Sequence, residues 1–189
     1  ILLWIMNPHR LPIKSWKQEL TFAGAGLTGM TLYYLMENIA LTYSQASNVG
    51  VIVSIAPVFT AITAHIFLKE EGKLRPAFFM GCVIALIGIS LISFSGTTMH
   101  LNPIGDLLSV GGAIIWSFYS VLSKKIGSFG YSVVQATRRT FFYGILFMIP
   151  ALFIFDLKWD LIRFATPAYL FNIFYLGLGA SAICFVTWN

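Results

Sequence analysis

Residues 46–68 read ASNVGVIVSIAPVFTAITAHIFL and contain no Lys, Arg, Asp or Glu. A helix needs about 20 consecutive apolar residues to cross a hydrocarbon core roughly 30 Å thick, and this run supplies them. Five further apolar runs of similar length occupy residues 19–43, 76–95, 104–123, 137–156 and 168–189. Residues 1–6, ILLWIM, look like the end of another span, and the last run is still apolar at Asn189. We therefore expect a piece of a larger protein, cut within helices at both ends.

The composition supports a membrane protein. The 189 residues are 58% hydrophobic and 10% charged, whereas a soluble domain has about 45–50% apolar and about 25% charged residues. A chain this short could not cover such a core with polar surface in water. Backbone groups find no water in lipid, so each run is predicted to be a helix. The runs are too long, and alternate too little, for barrel strands. The predicted fold class is an all-α polytopic membrane protein.

The basic residues are concentrated in alternate loops. Ten of them lie in or just after loops 7–18, 69–75 and 124–136, and the intervening loops hold two, Lys158 and Arg163. Because cytoplasmic loops are enriched in Lys and Arg, we place the three basic loops in the cytoplasm, so that 19–43 leads outward and 46–68 inward. The net charge of +5 then reflects topology. We predict a multi-pass protein of the cytoplasmic membrane, in contact with the lipid bilayer and not with nucleic acid.

Two of the runs resemble each other. A shift of about 151 residues brings three short matches into register: Gly26-Leu27 with Gly177-Leu178, Tyr34 with Phe185, and Asn38 with Asn189. The shift corresponds to five spans, and an odd number of spans inverts the orientation. Inverted repeats are a recurrent architecture of carriers. Chance similarity is the alternative explanation.

Glu37 is the most informative single residue for function, because it is a carboxylate inside a span, towards the outer end. Ionisable groups in a bilayer are costly and usually face a cavity or a partner. Residues Phe22, Gly26, Gly29, Tyr33 and Glu37 follow helical spacing and predict one stripe. Glu37 is either a contact for a cation, amine or proton, or a carboxylate near the outer interface that reaches water. Its neighbour Asn38 is either a cavity hydrogen-bonding group or an interhelical contact.

The run 46–68 has one small and partly polar face, formed by Ser47, Gly50, Ser54, Pro57, Ala61 and His65. Pro57 lies near the middle of the membrane and frees a backbone carbonyl one turn earlier. That carbonyl would serve a substrate or a hinge, and close helix packing is the alternative. His65 is a titratable group near the cytoplasmic end, where it is a candidate for a gate or for an interface position.

Three further positions are candidates. Asn102 and Pro103 predict a helix start, with Asp106 in the first turn, where the helix dipole favours it. Trp116 is deep for an interface anchor and is either a cavity wall or a packing residue, on a face with Ser117 and Ser120. Arg138 and Arg139 point to different faces of one helix, and each either reaches the cytoplasmic interface, caps a helix end or closes a gate.

We find no catalytic or metal-binding motif in the sequence. A Gly-x-Ser-x-Gly elbow, a phosphate-binding loop with Lys and a His-Glu-x-x-His pair are all missing. The three histidines are far apart, and Cys82 and Cys184 lie in apolar runs where inert packing is the expected role. We therefore predict no enzyme activity, no cofactor and no metal site.

These residues, taken in order, resemble the EamA-like branch of the drug/metabolite transporter superfamily. The matching stretches are residues 34–41 (YLMENIAL), 56–58 (APV) and 68–70 (LKE) for the third and fourth helices, 105–108 (GDLL), 115–117 (IWS) and 123–125 (SKK) for the sixth, 136–139 (ATRR) for the seventh, and 185–189 (FVTWN) for the eighth. The resemblance covers nearly the whole chain.

The resemblance implies a ten-helix fold of two inverted five-helix repeats around a central cavity. Residues 1–96 would then be part of the first repeat, from the end of its second helix to its fifth. Residues 97–189 would be part of the second repeat, from the sixth helix to most of the eighth. Such carriers typically export amino acids or other metabolites by alternating access.

We therefore expect a secondary transporter for a small polar or amphipathic metabolite, with Glu37, Asn38, Ser54, Pro57, Trp116 and Asn189 along its path. Proton coupling through Glu37 and a homodimer are left open. The rival hypotheses are a membrane scaffold or receptor that does not transport, and an intramembrane enzyme.

Overall fold

The computed structural model describes residues 7–9, 15–68, 76–93, 102–155 and 166–188, together with Leu3, Ile5 and Leu11. Over these residues the chain is helical and has no strands. The elements are α1 (Trp16–Gly26), π1 (Leu27–Leu32), α2 (Tyr33–Tyr43), α3 (Ala46–Val53), α4 (Ala56–Leu68), α5 (Pro76–Ser93), α6 (Pro103–Gly127), α7 (Val133–Ile154), α8 (Pro167–Phe174), π2 (Tyr175–Ile183) and α9 (Cys184–Trp188).

Four of the described helical segments are long and apolar enough to cross a membrane: Ala46–Leu68, Pro103–Gly127, Val133–Ile154 and Pro167–Trp188. Their apolar side chains remain widely exposed. Phe153 is 81% exposed and Leu107 is 73% exposed, which suits a lipid solvent and not water. The structure therefore confirms the predicted all-α polytopic membrane fold.

The helix over residues 16–43 contains a π-helical segment that the sequence did not predict. A π-helix bonds residue i to i+5 and changes the angular step between side chains. The residues of the predicted stripe are all buried or half-buried: Phe22, Gly26, Gly29, Tyr33 and Glu37. A Cβ atom on Gly29 would overlap the ring of Tyr119. The missing side chain of Gly29 thus lets this segment approach α6.

The run 46–68 is interrupted at Ser54 and Ile55, where α3 ends and α4 begins. Pro57 explains the break, because it has no N–H to donate and its ring would collide with the carbonyl of residue i−4 in a continuous helix. Starting a new helix at Ala56 places Pro57 in the first turn, where a proline is tolerated.

The helix ends between residues 102 and 133 differ from the expected ones. Asn102 caps α6 as predicted, since its Oδ1 accepts hydrogen bonds from the backbone N–H groups of Ile104 (3.1 Å) and Gly105 (3.3 Å). The predicted loop 124–136 was too long, because α6 continues to Gly127 and α7 starts at Val133. Lys124 and Lys125 consequently lie in the last turn of α6, where the helix dipole favours cations.

The chain forms two compact units. Unit 1 comprises Ile1–Gly26 and Ser123–Asn189, and unit 2 comprises Leu27–Leu122. In unit 1, α1 packs on α7 along its length. A Cβ atom on Gly26 would lie 2.7 Å from the backbone nitrogen of Gly144, so the two helix backbones touch. The ring of Phe141 on α7 lies 5.1 Å from that of Phe185 on α9.

In unit 2, α2 runs antiparallel to α6. Successive contacts pair Tyr33 with Trp116, Met36 with Gly111, and Ser44 with Gly105. The helix α4 contacts α6 through Thr63 and Ser117, whose hydroxyl oxygens lie 2.8 Å apart in a buried position. The helix α5 packs against α3 and α4. The core of unit 2 therefore lies around α6, where the candidate site is found.

Candidate functional site

Glu37 projects from α2 in unit 2 and is half-buried. The hydroxyl of Tyr33, one turn earlier, donates a hydrogen bond to Glu37 Oε1 at 3.2 Å. The carboxylate lies about 9 Å before the end of the helix, at a rise of 1.5 Å per residue. Glu37 is thus held on α2 before the end of the helix, and its depth in a membrane stays a prediction.

The described residues around Glu37 carry negative charge and no positive charge from Lys or Arg. The described residues of unit 2 include no Lys and no Arg, and their acidic residues are Glu37 and Asp106. Asp106 accepts a hydrogen bond from Ser44 Oγ at 3.2 Å and lies in the first turn of α6. Glu37 consequently has a hydroxyl partner and no ion-pair partner among these residues.

A row of aromatic rings adjoins the carboxylate. We call Tyr34, Tyr33, Trp116 and Tyr119 the aromatic ladder. The ring centroids of successive members are 5.4, 4.8 and 5.0 Å apart, within the range of favourable aromatic pairs. Tyr119 is buried, whereas Tyr34, Tyr33 and Trp116 are partly exposed. The ladder thus offers an accessible aromatic surface on two helices, next to a carboxylate.

Trp116 has the packing role that the sequence offered as one alternative, and its role as a cavity wall stays a prediction. Its ring packs between those of Tyr33 and Tyr119, yet the side chain stays partly exposed. The structure therefore brings together two predicted path residues, Glu37 and Trp116, through Tyr33. Sequence reasoning placed Tyr33 on the stripe with Glu37 but did not identify it as the link, because that requires knowing which helix faces α2.

Other predicted path residues bond within their own helices. Asn38 is exposed, and its Nδ2 donates to the carbonyl of Tyr34 at 2.7 Å. Ser54 Oγ donates to the carbonyl of Val51. Pro57 and His65 are exposed. Asn189 lies outside the described residues. Their place on the path stays a prediction.

The predicted small face of 46–68 is not the face that packs within unit 2. The buried residues of this run are Asn48, Val49, Ala56, Thr63 and Ala64, whereas Gly50, Pro57 and His65 are exposed. Thr63, which pairs with Ser117 on α6, was not selected as a candidate from the sequence. A threonine among apolar residues gives little signal, since its hydroxyl also bonds to its own helix, here to the carbonyl of Phe59.

A separate polar cluster lies in unit 1. Glu19 is 4% exposed, and its Oε2 accepts hydrogen bonds from Arg139 Nε at 3.0 Å and from the hydroxyl of Tyr143. Arg139 Nη2 lies 2.9 Å from the same oxygen, and the guanidinium carbon is 5.9 Å from the centroid of the Tyr143 ring. We call Glu19, Arg139 and Tyr143 the α1–α7 clamp. Sequence reasoning passed over Glu19, because nothing local pairs it with a residue on a distant helix.

Arg138 takes the other direction from α7. Its guanidinium donates to the backbone carbonyls of Asn7 and His9, and Gln135 Nε2 donates to the His9 carbonyl at 3.2 Å. The two adjacent arginines therefore point to different faces, as predicted, and both hold other parts of unit 1. Their role as a gate stays a prediction.

The described residues contain no group of three or more His, Cys, Asp or Glu side chains suited to a metal ion. What the arrangement in unit 2 offers is noncovalent. It combines a carboxylate, a phenol that donates to it, and partly exposed aromatic faces.

Comparison with known proteins identifies the family. Residues 1–94 match the EamA-like transporter family. The chain belongs to that family. An uncharacterized transporter of Archaeoglobus fulgidus is 26% identical over the whole chain and 64% of its own length. The uncharacterized transporter YvbV of Bacillus subtilis is 30% identical over 68% of the chain and 41% of its own length.

A probable terminal-alkyne amino-acid exporter of Streptantibioticus cattleyicolor is 27% identical over 87% of this EamA-like chain and 53% of its own length. One solved crystal structure shares the fold, with a TM-score of 0.67 and 22% identity over 93% of the chain and 58% of that protein. The chain thus spans between two fifths and two thirds of the length of these relatives.

Proposed function

We propose that the complete protein is a secondary transporter that moves a small polar or amphipathic metabolite across the cytoplasmic membrane by alternating access. The observation that carries the proposal is Glu37, a half-buried carboxylate in a predicted span, with a phenol and no ion-pair partner in the described part of unit 2. Such residues mark substrate or ion pathways in membrane proteins. Family membership supports transport, and the name of the Streptantibioticus relative supports an amino-acid-like substrate and export.

The interrupted helix 46–68 is a second support. Discontinuous helices near the middle of the membrane place backbone groups where a substrate or coupling ion binds. The structure has a break in this run at Ser54 and Ile55, and we infer that it lies near the middle of the membrane. We therefore retain Ser54 and Pro57, with Asn38, Trp116 and Asn189, as residues of the path.

We also propose that residues 1–96 and 97–189 are parts of two inverted repeats. The shift of about 151 residues that aligns the sequences carries the end of π1, Leu32, onto Ile183, the end of π2. A π-helical segment is rare. Its recurrence at matching positions favours a repeat over chance similarity.

Flux of a metabolite panel decides between transport and its rivals. Cells that express the complete protein should export at least one amino-acid-like compound faster than cells with empty vector, and the compound should leave unchanged. A chemically altered product would favour an intramembrane enzyme. Unchanged flux of every compound, at normal surface expression, would favour a scaffold or receptor.

Proton coupling through Glu37 has its own test. Glu37→Gln keeps the shape of the side chain but cannot bind and release a proton. We expect it to abolish the pH dependence of flux. Asp106→Asn removes the other carboxylate of the described part of unit 2 and should leave the pH profile in place. An unchanged profile in Glu37→Gln would remove the coupling hypothesis. The homodimer has a separate test, in which light scattering of the purified complete protein measures its molar mass.

A further inference from the structure

We propose that Thr63 on α4 and Ser117 on α6 form a latch that opens and closes, and that α4 separates from α6 when the latch opens. We call this pair the α4–α6 latch. The inference concerns how the protein changes conformation, and it rests on the proposed function, because alternating access requires helix contacts that break and form again. Both residues belong to unit 2.

The two hydroxyl groups have more acceptors within reach than hydrogens to donate. Thr63 Oγ1 and Ser117 Oγ lie 2.8 Å apart in a buried position, and either can be the donor. Thr63 Oγ1 also donates to the carbonyl of Phe59, and Ser117 Oγ lies 2.6 Å from the carbonyl oxygen of Ile114. Each hydroxyl carries one hydrogen. Two hydrogens therefore serve three contacts, and one of the three has no hydrogen at any moment.

This shortage gives the latch an open and a closed state. In the closed state one hydroxyl donates across the helix crossing, and the other donates to a carbonyl of its own helix. In the open state both hydroxyls turn to their own helices, to the carbonyls of Phe59 and Ile114. Both states use both hydrogens, so opening leaves no buried donor without an acceptor, which is the costly event when polar groups part. The latch can therefore open at a small cost.

The α1–α7 clamp in unit 1 provides the contrast. Glu19 is 4% exposed, and its Oε2 lies 3.0 Å from Arg139 Nε and 2.9 Å from Nη2. Separation of these two side chains would leave a buried carboxylate without its cation, which is strongly destabilising. A contact that parts in every transport cycle has to part cheaply. We therefore assign the clamp to a lasting contact and the latch to a reversible one.

The surroundings of the latch allow α4 to move. The break at Ser54 and Ile55 separates α4 from α3, and Pro57 has no N–H to donate across it. A second side-chain pair, Phe67 and Phe118, joins α4 to α6 with ring centroids 5.9 Å apart. Both rings are exposed, so they lie at the edge of the contact and can part without leaving a buried cavity.

Distances between spin labels test the latch without any substrate. The complete protein is placed in lipid nanodiscs after its two cysteines are replaced by alanine. One label pair occupies exposed positions on α4 and α6, His65→Cys with Ile114→Cys. The matched control pair occupies exposed positions on the clamped helices, Leu20→Cys with Phe142→Cys. We expect two distances between α4 and α6, and one distance between α1 and α7.

Variants of the latch should change the balance of the two distances. Thr63→Val keeps the shape of the side chain and removes its hydroxyl. We expect the longer distance to become about two- to threefold more populated, since an interhelical hydrogen bond in a membrane contributes about that factor. Ser117→Ala should act in the same direction, and the double variant should match the single ones, because either substitution alone removes the latch.

Three results of this experiment would overturn the inference. The first is a single α4–α6 distance that stays single in Thr63→Val. The second is a pair of distances at the control position, which would show that the clamped helices part as well. The third is a balance of distances that neither Thr63→Val nor Ser117→Ala alters.

A cross-link connects the latch with transport. In the cysteine-free background, Thr63→Cys with Ser117→Cys places two sulfur atoms where the hydroxyl oxygens are 2.8 Å apart, which suits a disulfide bond. Oxidation with copper phenanthroline should form the bond and stop export of the compound that the metabolite panel identifies. Dithiothreitol should restore export, and the reduced protein is the control. Full export by the cross-linked protein, or no cross-link, would contradict the latch.

The outcome is separable from that of the proposed function. Two distances that respond to Thr63→Val, without flux of any compound, support the latch and contradict transport. Flux that the cross-link leaves unchanged supports transport and contradicts the latch.

Discussion

Gly26 on α1 and Gly144 on α7 meet backbone to backbone in unit 1. A Cβ atom on Gly26 would lie 2.7 Å from Gly144 N and 2.7 Å from the carbonyl oxygen of Thr140. Membrane helices pack closely where small residues lie at their crossing. Lipid provides no hydrophobic driving force between helices, so close packing has to hold them together.

Gly26→Ala should therefore destabilise the protein. The added methyl group meets backbone atoms, which cannot rotate away, and we expect a loss of about 1–3 kcal/mol. Gly88→Ala is the control, because a Cβ atom there has nothing within 4 Å and alanine favours a helix by about 0.5–1 kcal/mol. Unfolding in mixed micelles measures both. Equal stability of the two variants would show that α1 and α7 are not in close contact.

The α1–α7 clamp predicts a non-additive pair of substitutions. Arg139→Gln leaves the buried carboxylate of Glu19 without its cation and should cost about 2–3 kcal/mol, below the value for a fully buried pair because the Arg139 side chain is 23% exposed. Adding Glu19→Gln should restore part of the loss, since the unpaired charge is then gone. Lys125→Gln, at an exposed position, should cost less than about 1 kcal/mol, the contribution of a cation in the last turn of a helix. Simple additivity in the same unfolding measurement would contradict the ion pair.

The distribution of basic residues predicts which loops face the cytoplasm. After replacement of Cys82 and Cys184 by alanine, single cysteines are introduced at Gln45 and Ser128, both exposed. A membrane-impermeant maleimide should label Gln45→Cys in intact cells, and Ser128→Cys only after the cells are opened. The reverse pattern would invert the topology, and labelling of both on one side would rule out the alternation of spans.

The break between α3 and α4 predicts a transport defect for Pro57→Ala. Alanine supplies the missing N–H and removes the ring, which favours a continuous helix through Ser54 and Ile55. If the break is a hinge or binding element, flux should fall about fivefold or more at unchanged surface expression. Pro150→Ala is a matched control, because Pro150 lies inside α7 without a break. Normal flux in Pro57→Ala would remove this run from the transport mechanism.

The fold could be predicted from the sequence because lipid makes the rule simple: a long run without charge has to be a helix. The run 46–68 and the Asn102 cap show this, since both depend on residues close together in the chain. The π-helical segments were not predicted, because no local residue pattern marks them, and the neighbour of π1 lies far along the chain. Gly29 in π1 has no Cβ atom, and this leaves room for the ring of Tyr119 on α6.

The candidate site also has a part that could be predicted from the sequence and a part that could not. Glu37 and Trp116 could be selected singly, because a carboxylate and a deep tryptophan are unusual inside spans. Their connection through Tyr33, and the pairing of Glu19 with Arg139, depend on which helices are neighbours. Residue spacing along one helix carries no information on that, so the clamp became visible only in the folded chain.

The clamp also imposes a schedule on biosynthesis. Its two charged residues are 120 positions apart in the chain. A ribosome adds about 5–20 residues per second, so Glu19 leaves it about 6–24 s before Arg139. Throughout that interval the carboxylate has to remain hydrated or be sheltered by the insertion machinery. α1 therefore cannot complete its packing on α7 when it is made, because Arg139 has not yet been translated.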